Sequence, residues 1–514
     1  MSHSLFELRF RRMRIRLGPL VFVLATLVAA SAEAQTPSCD RLASLSSGTT
    51  SVTLAQEAAA GAFKEPSSRG PRVGADPFPA LRAFCRVAAT LTPTPQSQIR
   101  MELWMPAAGW NGKLQIVGNG AFAGEVGYRA LARALASGYA AASTDTGHTG
   151  GAANTFANKE VVTDFAHRAI HETAVAAKRF VDAFYGAPPK LSYFNGCSTG
   201  GRQGLTAAQR YPEDFDGIVA GAPAAHGLNL AFGQIWISQA MSKSPASVIP
   251  SEKLDMLHSA VLQQCDATDG VRDGVLENPM ACRFDPRVLA CKEGADGADC
   301  LTGAQVEAAQ KIYGGARNTR TGTQVFPGLE PGTERNWSPR PVGYAVDLFR
   351  HMVFRNANWD PNWLNFDGHY ALTAETEFKL FDADNPDLSA YFKSAGKLLM
   401  YHGWSDPGIP PRGSVSFYEA VRAKTGTAAD NGLRLFMVPG MGHCRGGDGT
   451  DTFDAVAALD QWVTSGKAPA SIPASRLRDG KVERARPLCA YPQVAVYRGS
   501  GDTSDAASFE CRAR

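Results

Sequence analysis

A serine flanked by glycines stands where the sequence predicts a sharp turn between a strand and a helix. Residues 195–201 read Asn-Gly-Cys-Ser-Thr-Gly-Gly, after an apolar run and before a helical pattern at 202–210. Glycines two residues before and after the serine are typical of a nucleophile elbow, whose backbone turns so tightly that a Cβ would clash. Such a turn exposes the Ser198 hydroxyl at its tip. Taken alone, the pattern also fits an ordinary glycine-rich turn.

An aspartate and a histidine follow two later predicted strands. The strand at 397–401 leads to Asp406, and the strand at 433–438 leads to His443. A serine hydroxyl is a weak nucleophile until a histidine removes its proton, and that histidine needs a carboxylate to fix its tautomer. The order Ser, Asp, His along the chain is that of α/β-hydrolases. We therefore predict a catalytic triad of Ser198, Asp406 and His443, although the aspartate and the histidine each also fit an ordinary loop.

Cysteines adjoin both the serine and the histidine. Cys197 precedes Ser198, and Cys444 follows His443. If the serine and the histidine are within hydrogen-bond reach, the Cα atoms of the two cysteines come within disulfide range. We predict a Cys197–Cys444 disulfide that joins the two catalytic loops. The alternative, Cys197 as a thiol nucleophile, is disfavoured because an exported chain with nine other cysteines tends to oxidise it.

An oxyanion hole requires two backbone N–H groups beside the serine. The first is predicted at Thr199, the residue after the nucleophile. The second is expected from the glycine-rich loop 118–121, which follows an early predicted strand. We select Gly120 as this donor, with Ala121 as the alternative. The loop could also be a plain turn with no catalytic role.

The elements that must position these residues alternate between strands and helices. Strands are predicted at 114–117, 139–144, 191–194, 217–222, 397–401 and 433–438, and helices at 165–185, 202–210, 415–423 and 453–464. This alternation favours a mostly parallel sheet with helices on both faces and a ligand site at its carboxyl edge. The predicted fold class is α/β, an α/β-hydrolase fold with a mostly parallel central sheet and a large inserted lid.

The alternation is interrupted once, which defines the predicted domain organisation. Residues 35–225 and 388–514 form the two parts of the hydrolase core, and the loop-rich segment 226–387 is an inserted lid with four cysteines. Residues 1–34 read as a secretory signal, with five arginines, an apolar stretch and a small-residue cleavage site that ends at Ala34. We expect a secreted or periplasmic protein without a stable membrane anchor.

Composition excludes a role that depends on a basic surface. The chain has 52 basic and 49 acidic residues, but the first 34 residues hold five basic and two acidic ones, so the rest is balanced at 47 each. Nucleic-acid binding therefore has no electrostatic support. Ten cysteines in an exported chain predict a disulfide framework. The oligomeric state is left open.

An aspartate-rich loop in the predicted lid is a candidate metal site. Residues 265–275 read Cys-Asp-Ala-Thr-Asp-Gly-Val-Arg-Asp-Gly-Val. Three carboxylates in one short loop repel one another unless a cation neutralises them, and oxygen ligands suit Ca²⁺. The spacing is not that of an EF-hand, so a structural calcium ion and a solvated turn are equally open from these residues alone. Cys265 and Cys282 bracket the loop and are expected to pair.

These motifs together resemble the tannase/feruloyl esterase family of α/β-hydrolases. The resemblance lies in 196–204, 404–406 and 442–444, with further matches at 145–148, 165–171, 215–223 and the aspartate-rich loop. It implies a secreted esterase of phenolic-acid esters with disulfide-joined catalytic loops and a lid that holds calcium. The implied calcium ligands are the side chains of Asp266, Asp269 and Asp273 and the carbonyls of Val271 and Val275. The resemblance also implies the disulfides Cys39–Cys85, Cys291–Cys300 and Cys489–Cys511.

The expected partner is a small aromatic ester, of feruloyl or galloyl type. Lid aromatics could sandwich an aromatic acyl group, or they could form the core of the lid itself; they are Trp337, Phe354, Trp359, Trp363 and Phe366. Arg350 and Arg355 could pair with a substrate carboxylate. Terephthalate-monoester hydrolases of the family have an acidic residue where this chain has Thr199, which argues against that substrate.

Two further interpretations remain open. The first is a catalytically silent binding protein on the same fold, although silent relatives usually lose a triad residue and this chain keeps all three. The second concerns four other histidines at motif-like positions, for which we favour structural hydrogen bonding; they are His148, His167, His171 and His402.

Overall fold

A nine-stranded sheet runs through the centre of the protein. The computed structural model describes residues 38–66, 75–151, 153–370 and 377–513, so the predicted signal at 1–34 lies outside the described residues. The strands of the central sheet are β1 (Thr50–Ala58), β2 (Phe84–Leu91), β3 (Ile99–Pro106), β4 (Lys113–Val117), β5 (Ala140–Thr144), β6 (Leu191–Cys197), β7 (Gly217–Gly221), β8 (Lys397–Gly403) and β9 (Leu433–Val438). Their order across the sheet is β1-β2-β3-β5-β4-β6-β7-β8-β9.

Six of these strands are parallel and three are not. Strands β5, β4, β6, β7, β8 and β9 pair in parallel, whereas β1, β2 and β3 add an antiparallel edge. Every predicted strand is present, with ends that differ by at most a few residues. The carboxyl ends of the parallel strands share one edge of the sheet. The loops after β4, β6, β8 and β9 therefore meet there, and these loops carry the predicted site residues.

Helices cover both faces of the sheet and build the inserted segment. They are α1 (Tyr128–Ala136), α2 (Lys159–Thr163), α3 (Ala169–Tyr185), α4 (Thr199–Arg210), α5 (Gly227–Ser242), α6 (Ser251–Cys265), α7 (Gly303–Gly314), α8 (Gly343–Asp347), α9 (Ser389–Lys393), α10 (Arg412–Thr425), α11 (Thr427–Gly432) and α12 (Ala455–Ser465). One turn of π-helix, Asp164–Arg168, leads into α3, and another, Leu348–Val353, follows α8.

Short 3₁₀ helices occur in the connections. They are Cys39–Leu45, Phe78–Ala80, Ala153–Ala157, Pro245–Ser247, Asp266–Asp269, Pro279–Ala281, Pro286–Leu289, Glu334–Asn336, Pro361–Trp363, Glu377–Phe381 and Ala506–Ser508. Within the described ranges, we find no helix with both the length and the apolar character that a membrane crossing requires.

Alternate residues along the central strands supply two separate apolar cores. On β6, Phe194 belongs to the core beneath α3, α4 and α10, while Tyr193 belongs to the core beneath α1 and α12. This two-residue period is the geometry of a pleated strand, and it explains why both faces of a parallel sheet need apolar residues. The strands of the site are thus held from both sides by packed helices.

The segment predicted as a lid has its own apolar cores and also packs on the hydrolase core. Phe232, Phe349 and Trp359 share one cluster with Phe122 and Phe165, which lie in the loop after β4 and in the π-helical turn before α3. Glu330, fully buried, pairs with Arg412 at the start of α10. The inserted segment is therefore anchored beside the carboxyl edge of the sheet.

Two antiparallel hairpins end the chain. Strands β10 (Ser471–Arg478) and β11 (Lys481–Cys489) form one pair, and β12 (Gln493–Tyr497) and β13 (Phe509–Ala513) form the other. The sequence analysis did not predict these hairpins or the antiparallel edge β1–β3. The Cys489–Cys511 disulfide joins the two hairpins.

Candidate active site

The strand-to-helix turn at Ser198 is as tight as the glycine pattern predicts. Ser198 has φ 65° and ψ −121°, a backbone conformation that side-chain-bearing residues rarely adopt. A Cβ on Gly196 would stand 2.6 Å from the carbonyl carbon of Gly200, and a Cβ on Gly201 would stand 2.3 Å from the oxygen of Gly221. Both glycines are therefore required for β6 to turn directly into α4.

Asp406 and His443, which follow β8 and β9, are joined by a hydrogen bond. Nδ1 of His443 donates to Oδ2 of Asp406 at 2.6 Å. Asp406 is fully buried, whereas the His443 side chain is about one-third exposed. Because Nδ1 faces the carboxylate, Nε2 is the nitrogen left to exchange a proton with a nucleophile or a leaving group.

The electrostatics of this pair suit a general base. Burial alone would raise the pKa of Asp406, but the hydrogen bonds from His402 and His443 hold that pKa well below its usual range. Burial opposes protonation of His443, yet the hydrogen bond to Asp406 and its charge raise the His443 pKa. An ionised carboxylate therefore stabilises the imidazolium form of the histidine.

A second histidine bonds to the same carboxylate oxygen. His402, fully buried on β8, places Nε2 at 3.1 Å from Oδ2 of Asp406 and 3.0 Å from the carbonyl oxygen of Ile409. Both partners are acceptors, so Nε2 carries the proton and Nδ1 accepts from the Ser414 hydroxyl at 2.7 Å. His402 thus supports the triad carboxylate. The sequence offered no signal for this beyond its place in the motif before Asp406.

The serine and histidine loops are covalently linked. The Cys197–Cys444 disulfide joins the residue before Ser198 to the residue after His443, with Cα atoms 6.1 Å apart. All ten cysteines are paired, and no thiol is free for the alternative thiol mechanism. The remaining disulfides match the expected pairs, which are Cys39–Cys85, Cys265–Cys282, Cys291–Cys300 and Cys489–Cys511.

The loop after β4 leaves two candidate oxyanion donors. The N–H of Asn119 donates to Oε1 of Gln203 at 3.0 Å, and the N–H of Gly118 donates to the carbonyl oxygen of Asn195. Among the described residues, neither Gly120 nor Ala121 gives its N–H to a protein acceptor. Thr199 Oγ1 donates to the Ala121 carbonyl oxygen at 2.9 Å and so holds the loop against the elbow.

The role of Gln203 was missed by the sequence analysis. Its side chain accepts from the Asn119 N–H, and its amide nitrogen donates to Oδ1 of Asn119 at 3.1 Å. The side-chain nitrogen of Asn119, Nδ2, donates to the carbonyl oxygens of Glu125 and Thr144. Gln203 of α4 therefore fixes the shape of the loop 118–121. The glutamine lies five residues after Ser198 in the motif, which was the available signal.

Comparison with known proteins decides the family of this chain. The sequence model of a family described as tannase and feruloyl esterase matches residues 85–512. The chain belongs to this family. An esterase of Xanthomonas campestris, described as uncharacterized, is 38% identical, with 98% of this chain and 96% of that protein covered. A probable feruloyl esterase B-1 of Aspergillus oryzae is 35% identical, with 85% of each chain covered.

A solved structure agrees with the sequence relatives. The crystal structure of feruloyl esterase B from Aspergillus oryzae superposes with a TM-score of 0.84 at 32% identity, with 92% of this chain and 99% of that chain covered. The α/β-hydrolase fold and the activity of a carboxylic ester hydrolase, both expected from the sequence, are confirmed by this family membership.

Most of the aromatic residues named for the predicted lid belong to the core of the inserted segment. Trp337, Trp359 and Phe366 are buried in apolar clusters, and Phe354 stacks on Trp359 with ring centroids 5.3 Å apart. Trp363, in contrast, is 59% exposed. Nε of Arg350 donates to the Trp359 carbonyl oxygen at 2.9 Å. The buried aromatics are therefore packing residues of the inserted segment, which is the second of the two roles given for them from the sequence.

The other motif histidines make hydrogen bonds away from the triad. His148 Nε2 lies 2.8 Å from the carbonyl oxygen of Phe122, the residue after the loop 118–121. The remaining pairs are His167 with the Tyr211 hydroxyl and His171 with Asp214. These contacts agree with the structural roles that we favoured from the sequence.

The aspartate-rich loop packs against the chain that carries His443. A cavity of about 10 Å³, the size of one water molecule or ion, is bordered by Asp269, Asp273 and Val275 and by Glu277. Residues Pro439, Gly449 and Thr450 complete one side of it. The position of this loop in the predicted lid gives no reason to expect contact with the catalytic strand ends. The loop instead touches the segment after β9, because Val275 Cγ1 would stand 3.0 Å from a Cβ on Gly440.

The cavity offers carboxylate oxygens, the ligand type that Ca²⁺ prefers. The carboxylates of Asp269, Asp273 and Glu277 border it, as do the guanidinium groups of Arg484 and Arg486. Asp273 pairs with Arg486 at 2.7 Å and with Arg484 at 3.4 Å. Burial raises the pKa of Glu277 to about 8, and the charge of Arg486 offsets that rise only in part.

Two of the five predicted ligands do not border the cavity. Asp266 accepts from the backbone N–H groups of Asp273 and Gly274, and the N–H of Val271 donates to Asp269. Among the residues that the structure describes, no three side chains of His, Cys, Asp or Glu are already arranged as a metal site. Conversely, Glu277 borders the cavity and was not predicted.

Proposed function

We propose that this protein hydrolyses esters of aromatic acids, of feruloyl or galloyl type, by a Ser-His-Asp acyl-enzyme mechanism. The observation that carries the proposal is the buried Asp406–His443 pair, which a disulfide ties to the strained turn at Ser198. The triad order and the two oxyanion candidates beside the turn support it. The feruloyl esterase names of the relatives favour an aromatic acyl group.

The acylation half of the reaction uses each residue once. Nε2 of His443 removes the proton from the Ser198 hydroxyl while its oxygen bonds to the ester carbonyl carbon. The carbonyl oxygen becomes an oxyanion that accepts from the N–H groups of Thr199 and Gly120, with Ala121 as the alternative to Gly120. When the tetrahedral intermediate collapses, the alcohol leaves with the proton that His443 had taken, and the acyl group stays on Ser198.

Deacylation repeats these roles with water. Nε2 of His443 takes a proton from a water molecule, whose oxygen bonds to the acyl carbon. The second intermediate expels the Ser198 oxygen, which recovers the proton from His443, and the carboxylic acid departs. Throughout, Asp406 keeps Nδ1 of His443 protonated and stabilises the imidazolium.

Calcium binding is a second part of the proposal. The ion would be held by Asp269, Asp273 and Val275 of the expected set, with Glu277 added. Asp266 would instead hold the loop, since it accepts from the N–H groups of Asp273 and Gly274. The support is the three carboxylates that border the cavity and the size of the cavity. A bound calcium ion would supply charge neutralisation and no reaction chemistry. The loop would then brace the segment that carries His443.

Export is the third part. The arginine-rich and apolar start of the sequence predicts a secretory signal. Five disulfides suit an oxidising compartment such as the periplasm or the exterior. N-terminal sequencing of protein recovered from outside the cytoplasm tests this directly, and a mature chain that begins near residue 35 is expected.

The experiment that tests the reaction compares the natural protein with Ser198→Ala on four esters. Methyl ferulate, methyl gallate, a terephthalate monoester and p-nitrophenyl acetate cover the acyl classes. We expect turnover of a phenolic ester above that of the acetate and its loss in Ser198→Ala. Ser242→Ala, on an exposed helix end, is the matched control and keeps full activity. Activity that survives Ser198→Ala contradicts the mechanism.

A further inference from the structure

A cleft of about 1160 Å³ opens on the face of the sheet that carries α1 and α12. Residues of both helices line it, together with strands β4 and β6 and with Cys444. None of Ser198, Asp406 and His443 lines it. The cleft is therefore distinct from the reacting groups, yet it reaches the disulfide that holds them.

The strands in this cleft are unusually polar. Strands β4 and β6 are neighbours in the middle of the sheet, where parallel strands are normally apolar on both faces. On the cleft side they present Lys113, Gln115 and Asn195. Ester hydrolysis at the carboxyl edge does not require polar residues there. The composition of these strands therefore indicates a surface built to meet polar groups.

Two amide side chains of these strands line the cleft. Gln115 is only 4% exposed, and Asn195, on the neighbouring strand, is partly exposed. An amide at such a surface exchanges its hydrogen bonds to water for hydrogen bonds to a ligand. Both amides offer a donor and an acceptor to whatever enters the cleft.

The charges of the lining nearly cancel. Lys113 and Asp460 form an ion pair at 2.6 Å, and Asp460 also accepts from the Tyr193 hydroxyl. The other charged residues of the lining are Arg133, Asp451 and Asp454. A strongly charged ligand such as a nucleotide or a polyamine would find no complementary field here. The lining instead suits a neutral ligand.

Aromatic rings supply the apolar part of the cleft. Tyr401 and Phe453, both partly exposed, line the cleft and meet edge to face, with centroids 5.1 Å apart. A saccharide presents apolar C–H faces to such rings, and its hydroxyl groups both donate and accept hydrogen bonds. Amide side chains, which also do both, are matched to those hydroxyl groups.

We propose that this cleft is a binding site for a neutral saccharide chain, separate from the ester-binding site. Its volume accommodates several sugar rings, and its contact with Cys444 places a bound chain beside the triad. The proposal concerns binding alone and does not depend on the acyl-enzyme mechanism.

The test measures binding of ester-free oligosaccharides to the full-length protein by titration calorimetry. Xylohexaose, cellohexaose and maltohexaose are the probes, each up to about 5 mM. We expect at least one to bind, and Gln115→Leu to weaken that binding by about tenfold or more because the buried amide is lost. Gln461→Ala, on the exposed face of α12 in the cleft wall, should weaken it about threefold.

Controls separate the cleft from the rest of the protein. Gln310→Ala, on lid helix α7, should bind the saccharide like the natural protein. Hydrolysis of a small methyl ester by Gln461→Ala should be unchanged. This result would show that the variant is folded, so that weaker saccharide binding reports on the cleft. If Gln115→Leu does not fold, Gln461→Ala alone decides the outcome. No binding of any probe, or equal binding by the cleft variants and the natural protein, overturns the proposal.

Discussion

Removing His402 should weaken the reaction through Asp406, although His402 reaches neither the nucleophile nor the oxyanion loop. The Asp406 carboxylate is fully buried and accepts four hydrogen bonds, from His402, from His443 and from the N–H groups of Gly408 and Ile409. The variant His402→Leu removes one of the two bonds to Oδ2. The buried charge then keeps three partners instead of four.

The size of the effect follows from the strength of a hydrogen bond to a charged group. Such a bond contributes about 1.5–3 kcal/mol, and about 1.4 kcal/mol corresponds to a factor of ten in rate or to one pKa unit. We expect kcat/KM to fall by about 10- to 100-fold in His402→Leu. The pKa of Asp406 should rise, and its carboxylate, which stays ionised but has one donor fewer, should attract the Nδ1 proton of His443 more strongly. The acid limb of the pH–rate profile then moves to higher pH, because the His443 pKa rises.

The matched variant is His402→Gln. The amide nitrogen of glutamine can take the place of Nε2 and donate to Oδ2 of Asp406, while the bond with Ser414 is lost. We expect His402→Gln to recover at least about half of the lost activation free energy. The assay is kcat/KM against pH for a methyl ester of an aromatic acid, with the melting temperature of each variant measured alongside.

Two results would refute this reasoning. The first is a folded His402→Leu variant with the activity and acid limb of the natural protein, which would show that Asp406 does not need this bond. The second is an equal loss in His402→Gln and His402→Leu with an unchanged acid limb. That outcome would indicate disturbed packing around β8 rather than a lost bond to the carboxylate.

Three further predictions concern the links around the triad. Replacing Cys197 and Cys444 together by alanine should cost up to about 5 kcal/mol of stability and most of the activity, since this disulfide closes a 247-residue separation. Replacing the control pair Cys291 and Cys300, nine residues apart, should cost about half as much stability and leave activity intact. Equal losses of stability and of activity for the two pairs, by calorimetry and by assay, would contradict this. Because the pKa of His443 is raised above 6.5, kcat/KM should fall as the pH drops through that raised value, and a flat profile from pH 8 to 5 would exclude His443 as the base. Chelation should lower the melting temperature by a few degrees, about 1 °C per kcal/mol for a chain of this size, and added Ca²⁺ should restore it. No change at any chelator concentration would argue against the ion.

The three residues proposed for the triad could be selected from the sequence because their signals are local. The turn at Ser198 needs Gly196 whatever surrounds it, since a Cβ there meets the backbone of the next helix within 2.6 Å. The strands before Asp406 and His443 are short apolar runs, and parallel strands bring their carboxyl ends to one edge. The Cys197–Cys444 pairing then followed from the triad itself.

The partners of these residues could not be predicted, because they depend on contacts between distant segments. His402 and His443 both stand near strand ends, and only the packing of β8 against α10 places His402 between Asp406 and Ser414. In the sequence, Gln203 is an ordinary helix residue, and only the position of α4 in the fold places it against Asn119. Sequence spacing carries no information on such pairings.

The sequence by itself determined the alternating strands and helices around the parallel part of the sheet, the strained turn, the three residues proposed for the triad and the set of cysteines. These depend on residue size, periodicity and backbone freedom, which act over a few residues. Only the tertiary structure decided that the aspartate-rich loop meets the segment after β9, that Glu277 borders its cavity, and that a polar cleft opens over Gln115. These features arise where segments far apart in the sequence pack together. The side chains that meet there therefore depend on the packing of the whole fold.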